Sequence, residues 1–494
     1  MKTVFKTSAA VCALTIFTAP AFALTAEEVW TKYEEMLRSS SEAKVQVASE
    51  VKVGDVLTVS GISMEYSDSD VGVSYTIDAV RFAEQGDGSV QIETSETIPF
   101  SVSFEDGGDP ISIEFEYTQS DASVIVSGTV DQMNFATTIA QANVNLTEVK
   151  DKNGPLDAKF QLSLRDLEGG SAVDADNMQK GTFASKAMAI DFAFKIPESD
   201  DLIDGTMIAN NLSGSFTGNV EAMANLGKPG ADVPEMQVQY GYETLSGQMN
   251  LPIEGAAMTA EFSSGASNVE YTFNDTAITG TSSLAALDMK YNVPMMPFPI
   301  EVSMADAGGS VIIPVKQDTR GPVEYGFYMR DLVLSDMIWS MFDAGGALPR
   351  DPITLEMKFA GEAELGFDLF SLDPEKMEEI ENPGKLYAMN LEKLLVKAAG
   401  AELTGSGAFT FDNNDLATFD GFPRPMGTAM FNLIGANALL DKLPATGLVS
   451  PEDLMPVRMM MGMFAQPGEG PDALKSEIEV NAEAHVLVNG VRMR

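Results

Sequence analysis

A single histidine, His485, stands in 494 residues. Any serine or carboxylate chemistry that needs an imidazole base must use it. A period of two along 479–486 puts His485 on one strand face with Glu479 and Glu483, opposite Val480, Ala482, Ala484 and Val486. That is the setting of a solvated strand residue, and no G-x-S-x-G elbow accompanies it. Ser41 and Lys44 match S-x-x-K without its partner motifs. Oxygen ligands for calcium occur on turn-like segments: Asp68 with Asp70, Asp106 with Asp109, Asp174 with Asp176, and Asp412-Asn413-Asn414-Asp415. None fits the twelve-residue calcium loop with its central Gly and closing Glu. Paired carboxylates also hydrolyse glycosides, but Trp30 and Trp339 are the only tryptophans for sugar platforms. The reading therefore assigns no catalytic residue, metal ligand or cofactor.

One further cluster has two chemistries open to it. Residues 457–464 read VRMMMGMF. Thioethers are soft ligands for Cu(I), but no His or Cys lies nearby. The same residues also fit a helix that is apolar nearly all round, and such a helix is buried. Methionine is unbranched and fills irregular gaps. Met455, Met459, Met460, Met461, Met463 and Phe464 are therefore expected to plug an apolar groove.

The surrounding elements support that expectation. A charged start (Lys2, Lys6), an apolar run over 9–17 and Ala21-Phe22-Ala23 make residues 1–23 a signal peptide. Cys12 is the only cysteine, so disulfides and thiolate chemistry are excluded from the exported chain. Without residues 1–23, 29 basic residues face 73 acidic ones, a charge of −44 (31 − 2 = 29; 29 − 73 = −44). That balance excludes nucleic acid as a partner. Thr25 and Glu28 form a capping box for a helix over 25–38. From Lys44 the period changes to two. Val71, Val73, Tyr75 and Ile77 alternate with polar residues, as do Ile111, Ile113, Phe115 and Tyr117. This predicts a mainly β, β-rich α+β fold: a long antiparallel meander curled into a trough or sandwich, with one apolar and one acidic face. The strand signal continues, less regularly, past position 300, and no fixed-period repeat is visible. YNVPMMPFP, 291–299, suggests a boundary between a 24–290 meander and a mixed 291–494 region. Short helices are expected over 335–342, 373–380 and 431–443, and after Ser450, with Pro456 bending the last. Asn489-Gly490 predicts a hairpin.

WSMFDAGGALPRDPITL, 339–355, and 390–420, together with the opening helix and signal peptide, resemble an uncharacterised alphaproteobacterial exported family, domain of unknown function 2125. Leu348-Pro349-Arg350-Asp351-Pro352 is its most specific piece. More distantly, the layout is similar to the β-groove proteins of Gram-negative envelopes. The resemblance implies a periplasmic address and supplies no catalytic residues. A one-sided meander exposes an apolar face, and each side chain left in water forfeits about 1.5–3 kcal/mol. The expected role is a non-enzymatic periplasmic protein sheltering lipid or another apolar ligand, with an envelope protein as a further candidate partner. The alternative is an interaction module whose β core is filled by its own side chains. The first expectation is directly measurable. N-terminal sequencing of the exported protein should begin at Leu24, and an intact Met1 species in the membrane would refute the signal-peptide reading.

Overall fold

A computed structural model describes residues 23–38, 44–67, 71–106, 109–173, 178–196, 201–219, 235–253, 256–294, 296–371 and 383–494. The signal peptide, Ser41 of the S-x-x-K match, the 373–380 helix and the Asp68/Asp70 and Asp174/Asp176 pairs lie outside them. The described strands form one antiparallel sheet of 27 strands. Successive long strands pair as hairpins, so the chain is a meander from Lys44 to Arg492. Ala277–Asn292 and Ile300–Pro314 pair along their whole lengths, from Ala277 with Pro314 to Tyr291 with Ile300. The proline-rich segment is thus a hairpin connection inside a continuous sheet.

The sheet carries a crease. In strand after strand the register skips a residue near the middle. The skips fall at Ala48 and Gly61, at Asp166 and Lys186, at Asn211, and at Ala286 and Ala305. Asp121, Asp166 and Asn211, on alternate strands, have φ near +50°, and so do Ala286 and Asp331 further on. Asp and Asn tolerate this left-handed region better than other side chains. At Asp166, Asn211 and Ala286 the pairing lapses on both strands at one level without a register shift, and the left-handed residue bends its strand there. The bend is closed on one face. Val59, Ile62, Ile77, Val80, Ile139, Ala142, Ser185, Ala209, Ser264 and Met304 flank the crease, and all are buried. Asp121, Asp166, Asn211, Ala286 and Asp331 lie on the other side and are exposed. The sheet is therefore a V in section. Several residues at its vertex are small, as a tight inner corner requires. This recurrence is the regularity that the sequence reading missed.

Helices sit at the two ends of the V. The N-terminal helix Ala26–Leu37 has its capping box: Thr25 N donates to Glu28 Oε2 at 2.9 Å, and Glu28 N donates to Thr25 Oγ1 at 3.2 Å. Val29 and Trp30 pack into the one large core among the described residues, with Leu57, Val59, Phe82, Val90 and Val126. Near the other end lie helices Asp336–Phe342, Ala436–Lys442 and Leu454–Phe464. The predicted 431–443 helix needs correction at its start. Arg424–Ile434 is a strand, and Gly435, with φ +76°, separates it from the helix. Pro456 does not bend the last helix. It occupies the first turn, where backbone N–H groups have no intrahelical partner. Asn489 and Gly490, both of positive φ, form the predicted hairpin between Val488 and Val491.

The crease makes a specific demand at Asn211. Asn211→Gly should leave the melting curve nearly unchanged, since glycine adopts φ +51° freely. Asn211→Val should cost about 1–2 kcal/mol in chemical denaturation. Equal stability of the two variants would show that the crease does not depend on this conformation.

Candidate functional site

Directly opposed residues of an antiparallel ladder share a face. One row of such partners can be followed across almost the whole sheet. It runs Phe82, Ile92, Val124, Thr137, Gly169, Phe183, Gly214, Tyr240, Val269, Ser282, Gly309, Phe327, Met357, Leu394, Gly405, Phe431, Ser476. At about 4.8 Å per strand it is roughly 80 Å long. No member is charged. A parallel row on the other wing behaves alike: Ile190, Met207, Gly247, Phe262, Met289, Val302, Leu334. Both rows lie on the inner side of the V, the side that holds the vertex residues and the N-terminal helix. In a chain with 73 acidic residues, the described inner ladder is free of charge away from its rims and its first strand.

The charges are on the outer face, where they pair. Arg81 meets Glu93 at 2.8 Å, Lys358 meets Glu324 and Glu392 at 3.2 Å each, and Arg330 meets Glu356 at 2.8 Å. The Arg330 hydrogen bond holds Glu356 below the usual carboxylate range, and a bond from Ser310 does the same for Glu324. Inner phenols move the opposite way: burial pushes Tyr33, Tyr75 and Tyr117 up. They are neutral at physiological pH, so the lining stays uncharged.

The wings do not close on each other. On the inner face Phe183 is 46% exposed, Tyr240 50% and Tyr325 53%, whereas Phe82 and Val126 at the N-terminal end are at 0%. Between residues 140 and 300 the buried hydrophobics among the described residues are all alanines: Ala142, Ala187, Ala209, Ala260 and Ala277. A sandwich would bury the large side chains of both walls. This is a single-layer trough. Several aromatic rings lie across glycines of the next strand. A Cβ at Gly214 would collide with Phe183, one at Gly247 with Phe262, and one at Gly405 with Phe431. Lying flat, these rings thin the lining and leave room above it.

At the C-terminal end the methionine helix rests on the inner face. Leu403, Phe431, Leu433 and Leu474 from the wall meet Met460, Met461 and Phe464 around a pocket of about 270 Å³. The buried-plug expectation is corrected here. Leu454 is buried and Val457 and Met461 are half-buried, but Met455 is 69% exposed, Met459 65%, Met460 52%, Met463 54% and Phe464 41%. A single-layer wall offers the helix only one surface, so its other apolar faces have no partner.

A larger basin of about 670 Å³ lies on the opposite side of the sheet. Its lining alternates along each strand, as Ser246 with Gln248, Glu261 with Ser263, and Asp288 with Lys290, and all of these are outer-face positions. Charged and hydroxyl groups line it together with the exposed Ile208 and Val333, and Lys290 lies 4.0 Å from Glu301.

The residues considered for catalysis and metals take structural roles. His485 is not on a strand. It closes a turn in which its N–H donates to Asn481 Oδ1 at 3.0 Å and its carbonyl accepts from Asn481 N. Asp412 and Asp415 are engaged by Arg424, at 3.2 and 3.6 Å. Asp109 pairs with Lys152 at 2.6 Å. Among the described residues no group of three or more His, Cys, Asp or Glu could hold a metal ion. In the loop carrying Leu348–Pro352, buried Asp343 accepts from the N–H groups of Ala347 and Leu348, and Arg350 pairs with Asp336. Those bonds hold the Asp343 carboxyl below its usual range. Among the described residues no helix is long and apolar enough to cross a membrane.

No family model matches the chain, and no curated protein matches it.

Two adjacent apolar residues test the assignment of faces. Met207 is on the inner ladder and Ile208, 43% exposed, is on the outer face. Ile208→Glu should shift stability by no more than about 0.5 kcal/mol. Met207→Glu should cost at least about 2 kcal/mol, because it places an unpaired charge among half-buried apolar groups. A reversed order in denaturant titration would mean that the faces are wrongly assigned.

Proposed function

We propose that this protein is a non-enzymatic, exported envelope protein that shelters the acyl chains of lipids in its trough. The observation that carries the reading is the uncharged inner ladder, roughly 80 Å long at about 4.8 Å per strand, in a chain of net charge −42. Such a face is costly to leave in water. Large inner side chains such as Phe183, Tyr240 and Tyr325 stay about half exposed, so an apolar occupant relieves the cost. The trough is longer than one acyl chain, which suits several lipids side by side or the passage of one along it. The neutral lining favours chains over headgroups, and the paired outer charges keep the loaded protein dispersed in water.

The periplasmic address rests on the signal peptide and on the resemblance to the alphaproteobacterial exported family; membership of that family is part of the proposal. An envelope partner at the trough's ends is compatible with this reading, which requires neither a metal nor a cofactor. The alternative, a module filled by its own core, is supported by the N-terminal end, where the helix and the first strands share a buried cluster.

Native mass spectrometry of the exported protein, purified without detergent, tests the proposal. The expected result is a set of adducts with phospholipid masses that organic extraction removes. Met207→Glu should lower their occupancy several-fold, while Ile208→Glu should not. A protein that is free of adducts, and that takes up none from phosphatidylethanolamine vesicles, would end the lipid reading in favour of the self-filled module.

A further inference from the structure

The two ends of the trough differ. At the N-terminal end Val59, Phe82, Val90 and Val126 are wholly buried in the core that Val29 and Trp30 of the first helix join. At the C-terminal end the methionine helix stands over a pocket of about 270 Å³. An apolar protein cavity of about 150 Å³ is enough to bind benzene. Phe431 and Ser476, the last members of the uncharged row, line this pocket. The trough floor therefore runs directly into it.

The lining offers nothing to a polar ligand. Ser476 Oγ donates to the carbonyl of Phe464 at 2.6 Å, and Asn489 Nδ2 donates to the same oxygen at 2.9 Å. Lys475 is an exposed, outward residue of its strand and contributes only its stem. The roof is adaptable. Met460 and Met461 are flexible thioethers, and Gly462 has open space around it. The helix is tied to helix Ala436–Lys442 by Arg458, which pairs with Asp441 at 2.6 Å, and at its C-terminal end by the bonds to the Phe464 carbonyl.

We propose that this pocket is a distinct binding site for the terminal methyl segment of a saturated acyl chain, and that it sets the direction in which an amphiphile lies in the trough. The proposal rests on the lipid-sheltering reading above. The chain end enters beneath Met460, Met461 and Phe464, and the polar end lies toward the middle strands. The exposed row Met455, Met459 and Met463 faces away from the pocket and is not part of it.

The test uses the full exported chain and a neutral probe, monopalmitoyl glycerol carrying a diazirine at the chain terminus. After photolysis, peptide mapping should place most adducts on Met460, Met461, Phe464 or Phe431. Ala465 also lines the pocket and has an extended backbone, φ −122° and ψ 149°, so Ala465→Leu fills space without straining the chain. It should lower those adducts several-fold with an unchanged melting temperature; if it does not fold, Met461→Phe serves the same purpose. Adducts confined to the walls around Phe183 and Tyr240 would overturn the pocket assignment and leave the sheltering reading standing. Undiminished pocket adducts in the filled variant would also overturn it, as labelling from outside. No adduct anywhere on the chain would overturn both readings.

Discussion

The molecule depends on what happens at one residue in the middle of each long strand. Side chains of a strand alternate between faces, so a plain bend would leave each strand's pattern unchanged across it. The crease changes that pattern. In Leu202–Asn219, Ala209 points inward, Asn210 and Asn211 outward, and Leu212 inward again. The extra outward residue resets the alternation, and the left-handed backbone at Asn211 bends the strand at the same point. Each neighbour repeats the step, so both wings present apolar residues to the same interior. A strand lacking it would turn one wing's charges into the trough.

The same device explains what could be read from the amino-acid order. Local alternation was plain: Ile111, Ile113, Phe115 and Tyr117 all lie on the inner ladder. The capping box at Thr25 and the Asn489-Gly490 turn were equally plain, because both are short-range chemistry. The lesser regularity read along the later strands is not noise. It reflects the phase shift that each strand carries, as at Asp166, Lys186 and Asn211, seen without the partner strands that reveal it. An Asp or Asn inside a strand looks like one more outward polar residue, and only its recurrence on alternate strands distinguishes it. The misread 431–434 segment has a different cause. FNLIGANALL is apolar at both periods, and Gly435 was the sole sign of a break.

The methionine helix shows how composition misleads without a partner count. An all-round apolar helix is buried when something surrounds it. Here one wall meets it, at Met460, Met461 and Phe464. What composition reported correctly was location, since the helix does lie on the apolar face, above a pocket.

The contrast between the ends bears on how such a trough can work. A face of this length sealed at both ends would only store its contents. Sealed at neither end, it would have no compact core from which to fold. The N-terminal end supplies that core: Trp30 packs on Phe82 with ring centroids 5.7 Å apart, and the first strands close around them. The C-terminal end uses a helix that meets the wall at Met460, Met461 and Phe464 and is held by the Phe464 carbonyl and the Arg458–Asp441 pair. Packing energy scales with buried area, so the second closure is far weaker than the first. The strong contacts at one end hold the fold together, while the helix at the other end rests on the wall with most of its apolar surface uncovered.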